Sequence, residues 1–367
     1  MTDATREVPP IRVAAAALRE TTERLASEVV EPTDAVPEWS DLYWAVAQAA
    51  AAIQGVSALL CARSHWAGPR SWLSFLQTQR RHSSLRDQKI GRLLEQIETV
   101  TRNARIGVVA LKGAALRSLR VHDHGERPMA DIDLLVRPAD LQLLQRALGQ
   151  LNYRLAHNGA RHAVFLPAHE SVVHGFGEHE RNVVPIEVHT TVAENMPVRR
   201  VDITDSLWPT NLHDGINSYA SHAALMLHLL LHSSGNIRKR AIRQIQLHDI
   251  ASLSRHLDRS HWDDILSSRD GGQPRWWLYP PLAVTAQYYS DSIPADTLRE
   301  ARSLCPPVLR MLTHRARLAD ISFSNPRIPA FPGIGWSRTP LEALRFMRAR
   351  IAPGRAALDG LRNSVDA

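Results

Sequence analysis

The sequence predicts an α+β protein, with a small mixed β-sheet flanked by N-terminal and C-terminal helical regions. Three observations carry this expectation. Short apolar or alternating runs of strand length are confined to residues 106–195. On either side of them, apolar residues recur at helical spacing. Acidic residues stand at a period of two within strand candidates, which places them on one face of a sheet. The chain is accordingly divided into a helical region at 1–105, an α/β core at 106–199 and a helical region at 200–367, with a Pro-rich loop near 325–339.

An amphipathic helix is expected over Ile11 to Val30, before a break through Pro32 and Pro37. Leu42, Val46, Ala49, Ala50 and Ile53 repeat at helical spacing, as do Leu93, Leu94, Ile97 and Val100. The apolar run from Ile106 to Leu111 then reads as a buried strand. It stops at Lys112-Gly113, and Ala114 to Leu119 reads as a helix. A strand that ends in glycine before a helix brings backbone N–H groups close to a bound anion. Lys112 adds a positive charge at that turn. The chain has only three lysines (Lys89, Lys112, Lys239) against 41 arginines, which singles this one out.

The most informative stretch is Arg127-Pro128-Met129-Ala130-Asp131-Ile132-Asp133-Leu134-Leu135-Val136. On a strand, Asp131 and Asp133 share one face and Ile132 points to the other. Two neighbouring acids repel each other unless a cation sits between them, and hard oxygen ligands suit Mg²⁺, or Mn²⁺. A solvated strand end with two surface aspartates is the alternative. A helix from Pro138 to Leu151 follows, with Pro138 suited to a first helical position. Strand candidates are Tyr153 to Ala156, His162 to Leu166 and Ser171 to Phe176. In Val183 to Thr190, Ile186 and Val188 alternate with Glu187 and His189. Glu187 could complete a divalent-metal site or accept a proton from an acceptor hydroxyl; as an isolated residue it is equally an exposed sheet position.

Beyond residue 200, helices are expected at Ala220 to Leu231, Arg240 to Leu257 and Leu341 to Ile351. His228 and His232 are four apart and share a helix face. They either hold a metal or pack among the surrounding leucines, and packing is the commoner use of such a pair. His248-Asp249 suggests a metal phosphohydrolase only if further ligands can be found. Trp276-Trp277 either stacks on a base or peptide, or packs in a core.

The order of strand, Lys-Gly, helix, Asp-x-Asp strand and later Glu strand resembles the minimal nucleotidyltransferase superfamily. More narrowly, Leu111-Lys112-Gly113-Ala114-Ala115-Leu116, the stretch Arg127 to Val136, and Glu187-Val188-His189 look like the uncharacterised bacterial nucleotidyltransferase family. The likeness covers roughly residues 40–270 and includes His228, His232 and Asp249, which look like that family's downstream His-x-x-x-His and Asp positions. It implies a metal-dependent enzyme that moves an NMP group from an NTP, with ATP expected, to a small molecule, peptide or protein. Asp131, Asp133 and Glu187 would be the catalytic and metal-binding acids, and Lys112, Gly113 and Arg127 the nucleotide-binding residues. Members of the family often lie beside peptide natural-product genes, including lasso peptide clusters. This chain departs from the superfamily in having Lys112-Gly113 where Gly-Ser is usual, with a longer gap to Asp131. Lys112 and Arg127 are expected to take over charge neutralisation at the phosphates.

Composition narrows the alternatives. With 367 residues and 44% hydrophobic content, the chain can bury one or two cores. No apolar run approaches the ~20 residues that span a bilayer. Met1 to Pro10 is charged with no apolar core after it, so no signal peptide is expected. Cys61 and Cys305 lie far apart and fit free thiols in a reducing cytoplasm. The net charge of +7 comes almost wholly from arginine, and the chain shows no aromatic-basic module, which argues against nucleic acid as partner. No internal repeat is visible. Two other functions remain open: a sugar-nucleotide glycosyltransferase using Asp-x-Asp, and a non-catalytic nucleotide-binding scaffold.

Overall fold

Four helices come first in the computed structural model, which describes residues 9–159, 162–168, 176–196, 199–267, 269–270, 272–323 and 333–351. They are α1 (Ile11–Val30), α2 (Asp41–Ile53), α3 (Ser57–Arg63) and α4 (Arg70–Asn103). Trp44, Trp66 and Trp72 pack with ring centroids 5.7 to 5.8 Å apart. Leu59, Leu60 and Ala50 close that core. Next come β1 (Gly107–Ala110), α5 (Lys112–Ser118), β2 (Ile132–Val136), a 3₁₀ turn at Pro138–Asp140, α6 (Leu141–Gln150), β3 (Tyr153–Asn158), β4 (His162–Pro167) and β5 (Ile186–His189). The strand expected at Ser171 to Phe176 lies outside the described residues, Phe176 excepted.

A hairpin of β6 (Ala193–Asn195) and β7 (Arg200–Asp202), the short helix α7 (Thr204–Leu207) and strand β8 (Gly215–Asn217) lead into the C-terminal helices. These are α8 (His222–Lys239), α9 (Gln244–Ser254), α10 (Arg259–Ser267), α11 (Tyr279–Tyr288), α12 (Ala295–Leu304), α13 (Pro307–Arg315), α14 (Leu318–Ser322) and α15 (Pro340–Ile351). The part of the Pro-rich loop that is described contains a 3₁₀ turn at Ile334–Trp336. Among the described residues, no single helix is long and apolar enough to cross a membrane.

The central sheet is mixed, as expected, in the order β3-β4-β5-β2-β1-β8. Pairs β2–β5 and β1–β8 are parallel, and the other pairs are antiparallel. One face carries Val108, Ile132, Leu134, Val136, Ile186 and Val188 and packs on Ile90, Ile97, Leu144 and Leu148 of α4 and α6. The other face carries Val109 and Leu135 and packs under α8, whose Leu227, Leu230 and Leu231 share that core. Strand β2 is therefore covered on both sides, which explains why Leu134-Leu135-Val136 is continuously apolar. Strand β8 was not foreseen, because a three-residue Gly-Ile-Asn strand is too short to show any period.

Trp277 lies fully buried in a 3₁₀ turn, its carbonyl accepting a 2.7 Å bond from the Ser234 hydroxyl. Trp276 sets its ring 6.1 Å from that of Trp336. The pair packs in the core, so a direct stacking role is excluded for Trp277. Trp277→Ala should empty a large core site and cost about 3–5 kcal/mol. Chemical denaturation measures this, and an unchanged midpoint would show that the indole is not a core anchor.

Candidate active site

The site begins at the β1–α5 turn. Lys112 adopts φ +44°, a left-handed conformation that costs a side-chain-bearing residue of order 1–3 kcal/mol and needs surrounding support. That support is visible. The Lys112 N–H donates to the Tyr219 hydroxyl at 3.1 Å, and this hydroxyl is hydrogen-bonded to Nδ1 of His228 at 2.7 Å. Burial holds the Tyr219 pKa well above the usual value and the His228 pKa well below it, so a neutral phenol faces a neutral imidazole. Leu111 N–H donates to the Asp133 carbonyl at 2.9 Å, and the Lys112 ammonium meets Oδ1 of Asp133 at 2.8 Å. Burial works against the Lys112 charge, but the adjacent Asp133 carboxylate outweighs it and raises the pKa.

Gly113 follows, and Arg127 and Met129 lie close against it. A Cβ there would lie 2.5 Å from Nη1 of Arg127 and 2.7 Å from the Met129 sulfur. Any side chain at 113 would make the Arg127 guanidinium or Met129 shift from this place.

The parallel register of β2 and β5 pairs Asp133 with Glu187, so the two acids are neighbours on one face. Asp131 precedes β2 by one residue and lines the same cleft. The three acids differ electrically. For Asp133, burial favours protonation, but Lys112 and His189, both 2.8 Å from Oδ1, hold it well below the usual carboxylate range. Burial first, then the charge of Asp133, pushes the Asp131 pKa up. Burial, then Asp133 and Asp131, does the same to Glu187. Two of the three acids thus carry negative charge that their surroundings compensate poorly, and a divalent cation would relieve it.

The donor set is carboxylate oxygen, which suits Mg²⁺ or Mn²⁺. The acids are not drawn tightly around one point, however. Among the described residues, the group of three metal-ligating side chains with donor atoms all within 4.8 Å is His162, Glu187 and His189.

A cleft of about 320 Å³ joins Lys112, Gly113, Arg127, Asp131, Asp133 and Glu187 to α8 and α9. His232 and Asn236 of α8 and Arg243 and Asp249 at α9 line its far wall. Arg127 does not project freely into it. Nε and Nη2 each donate to an Asp249 oxygen at 2.8 Å, and His122 Nε2 meets the same carboxylate at 2.9 Å. On the other side, Arg86 of α4 donates to the Met129 and Ala130 carbonyls at 3.0 and 3.2 Å, which holds the chain just before Asp131. His232 is held neutral, its pKa lowered to about 3 by burial and then by Lys112.

Sequence reasoning missed Tyr219, Arg86 and Arg243. Tyr219 and Arg86 support the turn and the strand entry from distant helices and loops, and Arg243 is a cation of the cleft whose charge acts on Asp131. In a chain with 41 arginines, no local signal separates Arg86 or Arg243 from the rest.

A mixed sheet with a lysine turn after its first strand, Asp-x-Asp at the start of the next and an acid on the parallel neighbour is the arrangement that the resemblance to nucleotidyltransferases implies. The model of the uncharacterised nucleotidyltransferase family matches residues 39–288, more than half of the chain, and the chain belongs to that family. No curated protein and no solved structure matches it.

The Arg127–Asp249 pair makes a stability prediction. Burial opposes ionisation of Asp249, but Arg127 and then His122 overcome it and depress the pKa. A depressed carboxylate pKa stabilises the fold above the unfolded value of about 4, and this contribution is lost as pH falls through the folded value. Asp249→Asn should cost about 3 kcal/mol at neutral pH, the low end for a broken buried pair because the amide keeps part of the hydrogen bonding. The deficit should shrink in acid. Urea unfolding at neutral and acidic pH tests this, and a deficit independent of pH would mean that the Asp249 charge is not what stabilises the pair.

Proposed function

We propose that this chain transfers an NMP group from an NTP, with ATP the expected donor, to a nucleophile on a small-molecule, peptide or protein acceptor. The observation that carries the reading is the parallel pairing of Asp133 with Glu187 beside Asp131, in a cleft also lined by Lys112, Arg127 and Arg243. Asp131, Asp133 and Glu187 are the residues that would hold Mg²⁺ or Mn²⁺. Bound there, the ion supplies Lewis-acid polarisation of the α-phosphate and charge neutralisation of the pyrophosphate.

The chain's own groups supply the rest. Lys112 and Arg243 set positive charge against the triphosphate, and Arg127 adds to that field from its anchor on Asp249. Gly113 leaves room for the Arg127 guanidinium beside the turn. Glu187, with its raised pKa and Nε2 of His162 3.5 Å away, is suited to take the acceptor's proton if it does not serve wholly as a ligand. In the balanced reaction, the acceptor oxygen bonds to the α-phosphorus and the bond to the pyrophosphate oxygen breaks. A cytoplasmic setting belongs to the same proposal and rests on the two free cysteines, Cys61 and Cys305. A role in peptide natural-product biosynthesis rests on the family resemblance alone.

With α-labelled ATP, Mg²⁺ and a small-molecule and peptide extract, the protein should move label into the acceptor fraction and release pyrophosphate. Asp131→Asn and Asp133→Asn should each abolish this while the fold persists. Tighter binding of UDP-sugars than of NTPs would favour the glycosyltransferase reading, and NTP binding without pyrophosphate release would favour a scaffold.

Lys112→Ala and Arg243→Ala should each weaken NTP binding by about 1.5–3 kcal/mol, the worth of a charge-assisted hydrogen bond. Calorimetric titration measures both. Unchanged affinity in either variant would remove that residue from the nucleotide site.

A further inference from the structure

On the side of Glu187 away from Asp131, the sheet gathers a second set of ligand-type side chains. Strands β4 and β5 are antiparallel with His162 opposite His189, and Glu187 lies two residues before His189 on the same face. Directly opposed residues in an antiparallel pair point the same way, so register alone brings the two imidazoles and the carboxylate together. His162 Nε2 lies 3.5 Å and His189 Nε2 3.8 Å from Oε2 of Glu187. The two rings are 5.1 Å apart.

These separations are close to the edges of a coordination shell. For metal–ligand bonds of about 2.1 Å, ligand atoms are ~3.0 Å apart in an octahedron and ~3.4 Å apart in a tetrahedron. Small side-chain rotations would close the set around one ion. The three groups face a cavity of about 200 Å³ that Thr191, Asn195, Arg200 and His232 also line, so a coordination position stays open to water or substrate. Three protein ligands with an open position is the arrangement of reactive rather than purely structural zinc sites.

We propose that His162, Glu187 and His189 form a site for a borderline divalent transition-metal ion of the Zn²⁺ type, distinct from the all-oxygen site of Asp131 and Asp133. Two imidazole nitrogens select against Mg²⁺, which prefers oxygen and gives up water reluctantly. Asp133 is placed to join the two sites. Its Oδ1 lies 2.8 Å from His189 Nε2, close enough to serve as a fourth ligand once Nε2 binds the ion, and Glu187 belongs to both. The inference rests on the strand register and does not depend on nucleotidyl transfer.

Co²⁺ is the probe, because imidazole–carboxylate coordination in a low-symmetry site gives visible ligand-field absorption. Metal-depleted full-length protein is titrated with Co²⁺ in excess Mg²⁺, without nucleotide. The expected result is absorption that saturates at one Co²⁺ per chain and is displaced by Zn²⁺. His162→Ala and His162→Gln should each lower Co²⁺ affinity by about tenfold or more, whereas Asp131→Asn should leave it nearly unchanged. Thermal melts establish that each variant is folded. Absent absorption, wild-type affinity in both His162 variants, or an equal loss in Asp131→Asn would overturn the proposal. Since no nucleotide is present, failure here leaves the transfer reading standing, and a failed transfer assay leaves this one standing.

Discussion

A carboxylate buried in the middle of a sheet must be compensated, and the compensation of Asp133 organises its surroundings. Only 5% of this residue is exposed, and Lys112 and His189 share its Oδ1. Removing an ionised group from water is costly unless charge and hydrogen bonds are returned to it. Lys112 reaches Asp133 from a left-handed turn, and that turn is held by Tyr219, which is held in turn by His228 on α8. One buried charge therefore ties β1, β2, β5 and α8 to a common point.

The entry to β2 is fastened from two directions. Arg86, from the long helix α4, holds the carbonyls of Met129 and Ala130, while Arg127 is clamped by Asp249 of α9. Buried arginines suit such a task because one planar guanidinium can serve several acceptors at fixed angles. The position of Asp131 thus depends on both helical regions as well as on its own strand. A cleft built this way holds its charges before any ligand arrives, which is the condition for strong electrostatic stabilisation of developing charge.

Electrostatics also separates acids that look alike in sequence. Asp133 is kept ionised by fixed cations, whereas Asp131 and Glu187 are pushed the other way by burial and by the charge of Asp133. On the far side of Glu187, His162 and His189 join its carboxylate, so one short strand presents oxygen donors to one cleft and mixed nitrogen–oxygen donors to the next.

The local part of this site was legible in the spacing of neighbouring residues. Side chains alternate along any strand, so the spacing of Asp131 with Asp133 and of Glu187 with His189 assigned each pair to one face. The helical flanks, the first helix at Ile11–Val30 and the strand before Lys112 were equally legible, because their periods are contained in short windows. Tertiary structure decided which strands meet. Only the parallel β2–β5 register sets Asp133 beside Glu187, and only the antiparallel β4–β5 register sets His162 opposite His189. It also decided that Lys112 turns to Asp133, that Arg127 is bound by Asp249, that Trp277 is core, and that residues 215–217 add a strand to the sheet. These outcomes follow from compensating buried charge and filling space between segments far apart in the chain, and no window of neighbouring residues contains that information.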